Sequence, residues 1–294
     1  MTANADRETA LAAEGISPAR QWDHSTHQRF FEYYARESQS DEAQGRFRRV
    51  RDTILRVMRN SAGDRVLDVA DIGCGAGTQS MIWAEAGHAV HALDVNEPLL
   101  QLGRDRAAQA GHSIDFRVGS ATGLPWADES MDVCIALELL EHVADWEGCL
   151  DEFVRVIRPG GVLFLTTTNQ LCPIQEEFNL PLYSWYPARL KRHFAALAAT
   201  TRPGLANFAR YPAVNWFTFY RLQSYLAPRG FTSMDRFDLM DLNGKTASAR
   251  FVIAGMRSVS ALRRLGHICT ASTRILAIKS QMAQGSAAAD EHRS

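Results

Sequence analysis

Apolar and polar positions alternate along the chain in two different periods. Short apolar runs of strand length fall at 65–72, 88–95, 113–118, 131–137 and 162–168. Between them lie stretches with apolar residues every three or four positions, at 78–86, at 98–110, and in a third run that opens at Asp145, a good N-cap residue. Gly87 and Gly111 stop the first two helices, and Arg158-Pro159-Gly160-Gly161 stops the third. Strands and helices in strict alternation predict a parallel sheet with helices on both faces, a doubly wound α/β fold. Ahead of it, FFEYYA (30–35) and the run 41–58 have helical spacing; behind it, 231–240 and 274–280 have the composition of two further strands, seven in all. The first 20 or so residues and those beyond 281 are small and polar and have little to bury, so both ends are expected to be disordered. The expected organisation is a tail and capping helix (1–42), one domain (43–281) interrupted by an aromatic-rich insertion (170–228), and a tail (282–294).

Composition narrows the partners. The 294 residues are enough to bury a full core, and 32 basic against 33 acidic residues leave a formal charge of -1. That balance gives no electrostatic reason to expect nucleic acid, and there is no N/D-P-P-Y/F element of the kind that holds a flipped base. A small-molecule partner is expected instead. The cysteines, Cys74, Cys134, Cys149, Cys172 and Cys269, are odd in number and form no C-x-x-C pair, which argues against a zinc ribbon or a disulfide framework and for a reducing compartment. No apolar run reaches the ~18 residues of a membrane span, and the first 15 residues lack a signal-like apolar stretch. A soluble, cytoplasmic protein is the expectation.

Ligands of doubly wound sheets sit at the carboxyl ends of the strands. The first such end carries Asp71-x-Gly73-x-Gly75-x-Gly77, where glycines permit a sharp turn and a close backbone approach to a ligand. Asp94 ends the second strand, twenty-one residues after Gly73, a spacing that fits a pair of ribose hydroxyls. The loop is not the G-x-G-x-x-G that seats a pyrophosphate, so the ligand need not carry phosphate. With its flanking strand, helix and acid, it resembles motif I of the class I S-adenosylmethionine-dependent methyltransferases. The resemblance implies a seven-stranded Rossmann-like sheet whose last two strands form an antiparallel hairpin, and S-adenosylmethionine as cofactor. Asp71, Gly73, Cys74, Gly75 and Gly77 would surround its methionine portion and Asp94 its ribose. Val95, Ser120, Ala121, Leu137 and Glu138 would complete the contacts. Ser120 stands where the family commonly has an acid for the adenine amino group. Leu124 and Trp126 could wall the adenine or belong to the core.

The stretch 138–169 resembles the ubiquinone-biosynthesis O-methyltransferases, with which it shares E-x-x-E-H, here Glu138, Glu141 and His142. In that group the three side chains can bind a divalent cation such as Mg²⁺, which would lower the pKa of an acceptor hydroxyl and align it with the sulfonium methyl. Alternatively His142, beside Glu141, is the general base. A third reading has Glu138 facing the donor while the other two cap a turn.

Two further segments bear on the acceptor. Residues 170–228 hold the chain's concentration of aromatics beside Arg189, Lys191, Arg192 and His193, either as an acceptor pocket or as the small core of the insertion itself. In 249–268, Val252, Met256, Val259 and Leu262 share a helical face with arginines elsewhere, which suits packing on the sheet, a homodimer surface or contact with an anionic membrane. The expected activity is methyl transfer to a hydroxyl of a small molecule: a polyprenyl phenol, a sugar or a secondary metabolite. The alternatives are transfer to nitrogen or carbon, and a non-catalytic donor-binding subunit.

Overall fold

The computed structural model describes residues 31–32, 36–175, 177–206 and 213–281, so both expected tails and most of FFEYYA lie outside it. Seven strands form one sheet in the order β3-β2-β1-β4-β5-β7-β6. They are β1 Asp68–Ile72, β2 Ala89–Asp94, β3 Asp115–Val118, β4 Met131–Leu137, β5 Ile157–Thr168, β6 Phe231–Asp235 and β7 Ser272–Lys279. β1 to β5 run parallel, and β7 lies antiparallel between β5 and β6. The doubly wound expectation and the closing antiparallel pair are both met.

Central strands read as unbroken apolar runs because helices cover both faces. One face packs Ile72, Cys134, Leu163, Leu165 and Ala277 against α4 (Trp146–Val156) and α6 (Phe219–Leu226). The other packs Val69, Val133, Ile135, Val162, Phe164 and Leu276 against α1 (Asp41–Ala62). In α1 the buried stripe is Val50, Ile54 and Met58, at i, i+4 and i+8, and the Ser40 hydroxyl caps it by accepting from the Ala43 N–H (3.2 Å). Helices α2 (Thr78–Glu85) and α3 (Glu97–Ala110) follow β1 and β2. Asn96 and Asp145 cap α3 and α4 through side-chain oxygens, the second as expected.

Three expectations need correction. β6 stops at Asp235 and does not continue to 240, because Asp235 Oδ1 accepts from the Phe237 and Asp238 N–H groups (2.8 and 3.1 Å) and turns the chain. The helix expected over 249–268 is two helices, α7 (Ala247–Ser258) and α8 (Ser260–Ile268), broken where Val259 adopts extended dihedrals. Its apolar stripe does not cover the sheet: Val252, Val259 and Leu262 are exposed, as are Leu265 and Phe251 (81%), while Ile253 is the side chain of α7 that faces inward. The helical pair is held by polar anchors: Arg263 on Asp235 and Asp238, His267 on Asp235, and Arg257 on the Phe237, Asp238 and Met240 carbonyls. Third, the span 170–228 divides. Phe217, Leu222 and Leu226 are fully buried in the main core, so α6 is a sheet-covering helix, while Phe178, Tyr183, Ala198, Ala213 and Trp216 form a separate small core around α5 (Ala188–Ala199). Among the described residues no helix is long and apolar enough to cross a membrane.

Candidate donor and acceptor site

The carboxyl ends of β1, β2 and β4 bring the expected donor residues together. Gly73, Gly75 and Gly77 all have left-handed φ (73°, 54° and 71°), a conformation costly for any side chain. A Cβ on Gly77 would stand 2.8 Å from the Phe116 ring, and one on Gly73 would stand 3.0 Å from Leu139 Cδ1. The loop is therefore closed by packing from below and can present only backbone to a ligand. Asp94 organises it: Oδ2 accepts from the Gly75 N–H (2.8 Å) and Oδ1 from the Asn96 N–H (2.9 Å). The carboxylate stands at the carboxyl end of β2, the edge at which a ribose would be met. Asp71 is buried behind the loop and accepts from the Ser80 hydroxyl (2.5 Å). Burial first, then the charge of Asp94, pushes its pKa up to about 7 against the opposing bond from Ser80. Asp71 thus acts on the loop from behind, and Ser80, which the sequence did not single out, fixes it. Burial likewise raises the Cys74 thiol well above its usual range.

The flanking residues line the same edge. Val95 is exposed beside Asp94; Ser120 and Ala121 follow β3, with the Ser120 and Thr122 hydroxyls paired at 2.8 Å. Leu124 and Trp126 are buried in the main core, which decides their role. Leu137 is half-buried at the end of β4. Glu138 follows with φ 51°, one of three non-glycine residues in the left-handed region among those described, and its N–H donates to the Thr166 carbonyl (2.9 Å). Backbone strain of this sort persists where the surroundings enforce it, and it turns the Glu138 side chain outward at the site.

The other two members of E-x-x-E-H lie beside Glu138 but are drawn inward. Glu141 is fully buried: its Oε2 accepts from the Thr167 hydroxyl (2.8 Å), and its carbonyl accepts from the Val214 and Asn215 N–H groups. Burial and the neighbouring Glu138 carboxylate raise its pKa well above the ordinary range. It is a strut between β5 and the chain entering α6. His142 is half-buried, with Nδ1 buried and unpaired, and burial lowers its pKa to about 4 against a smaller opposing pull from Glu138. Among the described residues no three His, Cys, Asp or Glu side chains are grouped so as to hold a metal ion. Glu141 lies inside the core with Oε2 taken by Thr167, which does not fit the open, partly hydrated site that Mg²⁺ prefers.

The insertion supplies few open polar groups. Lys191 donates to the Ser184 carbonyl (2.7 Å) and lies over the Trp216 ring (4.3 Å), and burial lowers its pKa to about 8. It is therefore a packing element of the small core, whereas Arg189, Arg192 and His193 are exposed. Phe208 and Tyr211 lie outside the described residues. A shallow groove lined by Val57, Gly160, Thr232 and Ile278 sits at the opposite, amino edge of the sheet and takes no part in the site.

Known proteins agree with this geometry. Residues 70–165 match the methyltransferase-domain family. The chain is 30% identical over 202 residues to a demethylmenaquinone methyltransferase of Listeria monocytogenes, a match spanning 64% of this chain and 82% of that protein. The chain belongs to the class I S-adenosylmethionine-dependent methyltransferases. A ubiquinone biosynthesis O-methyltransferase of Rhizobium johnstonii is 38% identical to it over 104 residues, 35% of this methyltransferase and only 42% of the relative's length. The fold matches the crystal structure of the PH0226 protein of Pyrococcus horikoshii at a TM-score of 0.54, with 18% identity, over 85% of this chain and 99% of that one. The family's donor suits the cradle observed here: glycine backbone for its amino-acid end and a carboxylate for its ribose.

Proposed function

We propose that this methyltransferase moves a methyl group from S-adenosylmethionine to a hydroxyl of a small molecule. The observation that carries the reading is the Asp94 carboxylate, which orders the glycine loop through Gly75 and Asn96 at the carboxyl end of β2. The donor supplies an electrophilic methyl on a sulfonium. What the chain must add is alignment, exclusion of water and a place for the acceptor proton. Glu138, turned outward at the end of β4, and His142, four residues on in the turn before α4, border the edge where the acceptor would sit. At neutral pH His142 is unprotonated and can take a proton, but a pKa of about 4 makes it a weak base. That favours an acidic hydroxyl, such as a phenol, over an aliphatic alcohol. No step requires a metal.

Methylation at carbon is the second reading. The relative matched over most of its length is named for demethylmenaquinone, and a weak base such as His142 lends itself less to deprotonating oxygen. Transfer of a ¹³C-methyl from labelled donor into phenolic acceptors, with the product read by NMR, separates the two. We expect an O-methyl signal, unchanged by EDTA and reduced ~100-fold in His142→Ala with unaltered S-adenosylhomocysteine affinity. A C-methyl product would replace the first reading with the second, and unchanged turnover in His142→Ala would remove that residue from the chemistry.

A further inference from the structure

Two arginines lie half-buried at the carboxyl edge of the sheet with no hydrogen bond or ion pair among the described residues. Arg236 immediately follows β6, and Arg274 sits at the start of β7, opposite Thr166 of β5. Since β7 is antiparallel to both neighbours, the end of β6, the start of β7 and the end of β5 share one edge, the edge that carries Glu138 after β4. Arg274 occupies the strand position two before Leu276, so it projects from the α1 face of the sheet. Arg46 lies one helical turn before the buried Val50 and Ile54 on α1, extending their stripe beyond the last core contact toward the same edge.

Among the described residues neither the Arg236 nor the Arg274 guanidinium has a hydrogen bond or an ion pair, and Arg274 Nε is fully sheltered with no partner. Burial lowers the pKa of both. After burial, Arg236 is acted on most by the repulsion of Arg274, opposed by Asp235, and Arg274 by the attraction of Glu138, opposed by Arg49 and Arg46. Asp235, next to Arg236, is already engaged by His267 and Arg263. Two other half-buried arginines are paired: Arg155 with Glu152 and Asp128, and Arg158 with Asp68 and Asp132. Cations taken partly out of water and set beside one another are costly unless an anion joins them.

We propose that Arg236 and Arg274, flanked by Arg46 and Arg49, form the binding site for an anionic group, a carboxylate or phosphate, carried by the methyl acceptor. The assignment to the acceptor rests on the methyltransferase reading above and on position. The donor cradle lies over β1 and β2, whereas β7 is three strands from β1, about 14 Å at ~4.8 Å per strand, with Glu138 between. That span is the reach of a small acceptor held by its acidic end with its nucleophile toward β4.

Inorganic phosphate is the probe. In thermal melts of the full chain at constant ionic strength, replacing chloride by phosphate should raise the midpoint saturably, with S-adenosylhomocysteine present or absent. The Arg236→Gln/Arg274→Gln variant should lose that response, keep its affinity for S-adenosylhomocysteine within about twofold, and melt higher than wild type in chloride, because mutually repelling cations have been removed. An equal phosphate response in both proteins, or a lower chloride midpoint in the variant, would overturn the site. Loss of S-adenosylhomocysteine binding in the variant, or competition between it and phosphate, would assign the arginines to the donor and overturn the acceptor assignment. Failure of wild type to bind S-adenosylhomocysteine, with the phosphate response intact, would sink the methyltransferase reading and leave the anion site standing.

Discussion

Single residues of the donor loop act through backbone conformation and buried charge. Gly77 combines φ 71° with an aromatic ring where a Cβ would be. Gly77→Ala should therefore cost about 2–4 kcal/mol in urea unfolding, from left-handed strain plus displacement of Phe116, and weaken donor binding with it. Asp71 gives a pH signature. Its folded pKa of about 7 exceeds the unfolded value of ~3.9, so the folded state holds the proton more tightly, and stability falls as pH rises between those values and levels off above them. From pH 5 to pH 8 wild type should lose up to about 3 kcal/mol that Asp71→Asn does not lose. A variant with the same pH dependence as wild type would mean that Asp71 is ionised in the folded protein. Glycines and acids at fixed short spacing were legible in the sequence because the geometry they impose is local. The burial of Glu141 was not, since it depends on Thr167 and on chain segments up to 74 residues away.

At the level of elements, strands and helices of the first two-thirds of the chain follow from periodicity, and the cap at Asp145 from residue type, while those at Ser40 and Asn96 were not singled out. The α7–α8 pair does not. An apolar stripe on a helix predicts burial only if a partner surface exists, and here Asp235 fixes the orientation through charge, leaving Phe251 and Leu265 outward. Asp235 is fully buried and accepts from Arg263, His267 and two backbone N–H groups, which together hold its pKa far below the usual carboxylate range despite its burial. Its removal leaves a buried histidine and an arginine without their shared partner. Asp235→Ala should cost about 3–5 kcal/mol and free α8 first, seen as fast amide exchange across 260–268 while β1 to β5 stay protected. Loss of protection spread evenly over the sheet would show that the network does not act on the helical pair.

For the whole molecule, the sheet order separates two jobs: β1 and β2 hold the donor cradle, and β5, β7 and β6 hold the arginines, with the strained Glu138 between. The donor half could be read in advance because its residues fall within one βαβ stretch. The arginine half could not: Arg236 and Arg274 are brought together only by antiparallel pairing across an intervening helical pair, which no sequence motif marks. The central claim is that the glycine loop and Asp94 form the S-adenosylmethionine site. Calorimetric titration of S-adenosylhomocysteine into wild type and Asp94→Ala tests it most directly. Saturable one-to-one binding by wild type, weakened by about 10–100-fold in a variant with unchanged circular dichroism, is the predicted result, the size expected for hydrogen bonds from ribose hydroxyls to a charged acceptor. No binding by wild type, or equal binding by Asp94→Ala, would contradict it.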